Sequence, residues 1–142
     1  MHPTCGVLSC CQRKGIEYCS LCEEYPCKKY DGAGSSDSFI SHKNRLRDLD
    51  KIKQIGAEAY EAELNEKIGL LEELLNNYDD GRRKSFYCVA VNVLDLQDIK
   101  AVMGKTTDVI KTDTAIKEKA VTVVRLFEEM SVTRDISLKL RK

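Results

Sequence analysis

Six of the chain's seven cysteines lie between Cys5 and Cys27, in the run CGVLSCCQRKGIEYCSLCEEYPC. Thiolates bind soft metal ions, and clustering in one short segment favours that chemistry over packing, because a core spreads its small apolar groups over several elements. The residues between the cysteines include Gln12, Arg13, Lys14, Glu17, Ser20, Glu23 and Glu24, too polar a set to fold the segment by burial. Cys19 and Cys22 are spaced Cys-x-x-Cys, so both sulfurs can reach one ion at roughly 2.3 Å. Cys5 and Cys10 make the second pair of a four-thiolate tetrahedral site, with Cys11 and Cys27 in reserve. Metal binding would then supply the folding free energy of the knuckle.

Other thiol chemistries fit the pattern less well. A disulfide scaffold belongs to secreted proteins, but the total of seven is odd and MHPTCGVLS lacks the basic, apolar and small-residue order of a signal peptide. The expected compartment is therefore the cytoplasm. A redox Cys-x-x-Cys needs a thioredoxin-like strand before it and a helix after it, and neither is read here. An iron–sulfur cluster would use the same four thiolates, although the spacing matches neither standard ferredoxin run. Ligand geometry favours Zn2+, with an iron–sulfur redox carrier or sensor as the alternative. Arg13 and Lys14 would lower the pKa of Cys11, but no histidine or carboxylate base is placed beside it, so no catalytic constellation is expected. Neighbouring cysteines seldom aim at one ion together, which leaves Cys11 free beside a bound Cys10.

The order Cys5-x4-Cys10, Lys14-Gly15, Cys19-x-x-Cys22 and Glu24-Tyr25-Pro26-Cys27, followed by Phe39, His42 and RLRDLDKIKQIGAE, resembles the cysteine-rich domain-of-unknown-function family 3795 over about residues 5–60. The resemblance implies a metal site drawn from Cys5, Cys10, Cys19, Cys22 and Cys27, and implies no activity. Members often carry an earlier Cys-Gly block and a late Cys-Pro-x-Cys-Gly knuckle; this chain has neither, which argues against a second metal site.

The elements that must carry the knuckle read as mainly α-helical. A length of 142 residues with 42% hydrophobic side chains suits one compact body with a small appended knuckle. The chain divides into a cysteine-rich knuckle over 1–31, a linker over 32–38 and a helical bundle or hairpin body over 39–142. Its 23 basic and 23 acidic side chains cancel, and it has no Trp, so nucleic acid is not an expected partner; an unidentified protein is. No apolar run approaches the roughly 20 residues that a membrane span requires.

A first helix, capped by Asp37 or Ser38, carries Phe39, Leu46, Leu49, Ile52 and Ile55 and stops at Gly56. A second runs from Ala57 to Tyr78 with Tyr60, Leu64, Ile68, Leu71, Leu75 and Tyr78 as its seam. Phe86–Leu94 alternates like a strand, yet three-four spacing through Phe86, Val89, Val93, Leu96, Ile99 and Met103 continues past Asp95 and selects one helix. Cys88, in its most apolar part, reads as an inert core thiol. Gly104-Lys105-Thr106 mimics the tail of a phosphate loop, but Ile99 stands where that motif needs glycine, so Gly104 is expected to end the helix. Thr112 or Asp113 caps a last helix bearing Ile116, Ala120, Val123, Val124, Phe127 and Met130. The closing DISLKLRK alternates Ile136, Leu138 and Leu140 as a short strand would. It would pair with Tyr87–Val93, meet its own copy in a homodimer, or form a basic tail.

Overall fold

The computed structural model describes residues 5–32 and 35–142. Residues 1–4 of the expected knuckle, and Ala33 and Gly34 of the expected linker, lie outside them. The order is α1 (Gly6–Lys14), two single 3-10 turns (Cys19–Leu21 and Lys28–Tyr30), α2 (Arg45–Ile55), α3 (Ala57–Asn77), α4 (Lys84–Val93), α5 (Leu96–Val109) and α6 (Ile116–Thr133). No β-strand occurs among the described residues, so the mainly α reading holds.

The core is built by α3 to α6. Leu74, Tyr87, Val93, Leu94, Ile99, Val123 and Phe127 are fully buried, and Leu71, Leu75, Tyr78 and Phe86 pack against them. The apolar groups recur at three and four, so each helix turns one stripe inward. Phe127 packs edge-on with Phe86 and tilted against Tyr87, its ring centroid 6.3 Å from each. The Tyr87 hydroxyl donates to the carbonyl of Tyr78 at 2.8 Å, satisfying the polar end of a side chain that burial would otherwise penalise. Between α5 and α6, Arg134 grips the buried carboxylate of Asp98 through Nε and Nη2, at 3.0 and 2.7 Å.

Four expectations need correction. The run from Phe86 to Met103 is helical but is two helices, because Leu94 and Asp95 are extended (ψ 150° and 152°) and Asp95 takes the N-cap position of α5. The carbonyls freed at the end of α4 accept from neighbouring elements: Asn44 donates to Val93 at 2.8 Å and Lys67 to Leu94 at 2.7 Å. Gly104 does not end α5, which continues to Val109 because Thr106 is still buried and Ile110 still packs on the core. Ala115, with no capping side-chain hydrogen bond, holds the N-cap position of α6 in place of Thr112 or Asp113.

The fourth correction concerns both ends of the body. α2 begins at Arg45, not near Phe39, which is 88% exposed. Asp37 is committed elsewhere: its carboxylate accepts from the backbone N–H of His42 at 2.8 Å and of Arg141 at 2.7 Å, and from Nη2 of Arg141 at 2.9 Å. Lys43 Nζ donates to the carbonyls of Ser137 and Lys139. The closing segment is thus an extended strap that turns Ile136, Leu138 and Leu140 onto the core and finds its polar partners within the chain. Its alternation reports burial, and the hydrogen bonds a ladder would supply come from residues 37–43.

Arg141, with the two backbone amides, holds the Asp37 carboxyl far below the usual carboxylate range. The folded-state value is depressed, so the stabilisation is present above the unfolded value near pH ~3.9 and is lost only as pH falls through the lower folded value. The strap should therefore stay latched well below pH ~4 in the native protein. Asp37→Asn should release it at neutral pH, read as faster amide hydrogen exchange over residues 136–141 with core amides unchanged.

Candidate metal centre

The cysteine segment is more structured than a polar loop. α1 starts just after Cys5 and closes on Gly15, whose φ of 65° suits glycine and lets its N–H reach back to Gln12. Cys11 falls on the inward face of this helix, four residues after Val7, and is buried. The chain then returns so that the Cys19–Leu21 turn lies against α2. Two tyrosines pin it there: Tyr18 donates to Glu61 on α3 and Tyr25 to Asp50 on α2, each at 2.9 Å. Tyr30 is buried beneath, edge-on to Tyr25 at 5.9 Å.

These elements bring Cys10, Cys11, Cys19, Cys22 and Cys27 around one cavity of about 50 Å³, with Lys14 and Tyr30 also on its wall. Cys5, expected as a ligand, stands exposed at the N-cap of α1 and does not line it. Cys11, expected to stand free, has its Sγ 3.3 Å from that of Cys19. The missed signal was helical: a loop leaves adjacent cysteines diverging, whereas in α1 both Cys10 and Cys11 border the cavity. His42 approaches Ser38 Oγ at 3.4 Å and is absent from the cavity wall. Cys88 is half-buried on α4 and lines a separate groove of about 260 Å³ with Lys67, so it is not enclosed in the core.

The electrostatics differ from thiol to thiol. The backbone N–H of Glu24 and the ammonium of Lys14, 3.1 Å from Sγ, pull the Cys22 thiol down towards the thiolate. Lys14 in turn is ion-paired with Glu24. Amides at the start of α1 lower Cys5. The hydrogen bond with Cys19, then burial, pushes Cys11 up to about 11. Burial, then Cys19, raises the Tyr30 phenol, and burial with Asp50 takes Tyr25 to about 12.

The donor set fits a soft cation: five thiols, no competing hard ligand on the cavity save Glu24, and a cation beside the sulfurs to offset thiolate charge. As the side chains stand, no group of three or more His, Cys, Asp or Glu among the described residues is disposed to hold an ion. Their sulfurs are engaged in other contacts, Cys11 with Cys19 and Cys22 with Lys14. A four-thiolate tetrahedron with bonds of about 2.3 Å has edges of roughly 3.8 Å. The 3.3 Å between Cys11 and Cys19 is within half an ångström of that edge, the distance of a small side-chain rotation.

The fold and site together define a helical protein with a thiol-lined N-terminal knuckle. Residues 1–32 match the family described as "Protein of unknown function (DUF3795)", the family that the cysteine order resembles. The match spans the whole thiol cluster and ends before α2, short of the stretch to residue 60. No curated protein and no solved structure matches the chain. No helix among the described residues is long and apolar enough to cross a membrane.

Proposed function

We propose that this is a small cytoplasmic metal-binding protein in which a structural zinc ion closes the knuckle and the helical body meets a protein partner. The observation that carries this reading is the convergence of Cys10, Cys11, Cys19, Cys22 and Cys27 on one small cavity. Apart from Cys11, Ser20 and Tyr30, the described knuckle buries no residue, so a bound ion is the natural source of its stability. The partner part of the reading rests on Phe39, 88% exposed, with half-exposed Ile40 beside it.

Protein purified without oxygen should carry about one zinc per chain and be colourless. A visible absorption band with matching iron and sulfide would replace zinc by an iron–sulfur cluster on the same thiolates. That alternative draws some support from the Lys14 hydrogen bond to Cys22, because donors to sulfur tune cluster potentials.

A further inference from the structure

A second and larger cavity, about 390 Å³, opens between α1, the Cys19–Leu21 turn, α2 and α3. Val7 and Leu8 form one wall, Leu49 and Ile52 another, and Tyr60 stands at the α3 side. The volume and apolar lining are those of a small-molecule site, which such pockets combine with a few placed polar groups. Arg45, the first residue of α2, supplies one. Its guanidinium carbon lies 5.6 Å from the centroid of the Tyr30 ring, so the side chain is held by stacking.

That guanidinium is short of acceptors. Its Nε is shielded from solvent with no hydrogen-bond partner, and the side chain enters no ion pair among the described residues. The rest of the guanidinium is only partly buried on the cavity lining, so its terminal nitrogens remain available to an anion that enters. Two carboxylates also border the cavity. Glu17 is exposed at the surface. Asp48 is shared with the neighbouring groove that contains Lys67, and burial raises its pKa against the lowering pull of Arg47, Lys67 and Lys51. Neither is ion-paired with Arg45, and a guanidinium can hold a carboxylate through two parallel N–H donors.

We infer that this cavity binds an amphipathic organic monoanion, an aliphatic or aromatic carboxylate whose head pairs with Arg45 and whose tail lies on Val7, Leu8, Leu49 and Ile52. The inference is independent of which metal the thiols take, although Cys11 and Cys19 border both cavities.

The test uses the full chain with two fluorescent probes of similar shape, anionic anilinonaphthalene sulfonate and neutral phenylnaphthylamine, with decanoate as competitor. Both probes should bind saturably, and decanoate should displace the sulfonate. Arg45→Gln should weaken the sulfonate about tenfold or more, the loss of a charge-assisted hydrogen bond, and change the amine less than about twofold. Leu8→Ser, at a side chain 56% exposed and therefore safe for folding, should weaken both. Sulfonate binding that survives Arg45→Gln overturns the inference, as does equal loss of both probes, absence of saturation or indifference to decanoate. Intact probe binding with reduced metal affinity in Arg45→Gln would assign the guanidinium to thiolate charge instead.

Discussion

Replacing Cys19 by serine is expected to abolish metal binding, whereas Cys5→Ser should leave close to the full complement. Cys19 is the hub of the cluster: its sulfur meets Cys11, it lines the cavity, and its turn packs on α2. A hydroxyl is a poor donor to zinc, and structural sites need a closed shell of four. Apparent binding free energies for such sites are about 10–16 kcal/mol, all of which serves folding of the segment. Loss of the ion should therefore unfold the knuckle while α3 to α6 persist, since their core contains no residue from it. Cys5 is exposed and does not line the cavity, so its substitution is expected to spare the shell. Cys11→Ser is the sharper discriminator between the two readings of the cluster. The spacing argument leaves Cys11 a spectator; its burial against Cys19 makes it a ligand, and its substitution should then cost metal as Cys19→Ser does. Elemental analysis of the three purified variants decides, and a Cys5→Ser protein that is empty while Cys19→Ser stays loaded would overturn this arrangement.

Local patterning was legible wherever one element buried one face. α3 runs over Ala57–Asn77, nearly as its seam and the glycine before it predict, and the helix in Phe86–Leu94 follows from three-four spacing. What escaped were features set by distant partners. Asp37 reads as a helix cap until Arg141, 104 residues away, claims its carboxylate. DISLKLRK reads as a strand because alternation records only which side chains turn inward, and says nothing of what satisfies the backbone. The break at Asp95 was in principle readable: aspartate suits an N-cap, and Asp98 then places negative charge in the first turn of α5. Reading the knuckle as a loop between ligands hides the helix that carries Cys11 inward beside Cys10.

Phe127→Ala should be the most damaging single substitution in the body, and Cys88→Ala among the mildest. Phe127 is fully buried where α6 meets Phe86 and Tyr87, so truncation removes a ring that packs against two aromatic neighbours. Transfer and cavity terms together make Phe→Ala in a core cost about 3–5 kcal/mol. A domain of this size has a total stability of about 5–15 kcal/mol, so the variant should lose a large share of it. Cys88, half-buried on a groove with solvent beside it, leaves no enclosed void on truncation, and the expected cost is about 1 kcal/mol or less. Neither substitution touches the thiol cavity, so metal content per folded chain should be unchanged in both. Urea unfolding followed by far-ultraviolet circular dichroism gives both midpoints. Similar midpoints for the two variants would show that the aromatic junction is not the centre of the core, and loss of metal from folded Phe127→Ala would show that the knuckle and the bundle are energetically one unit.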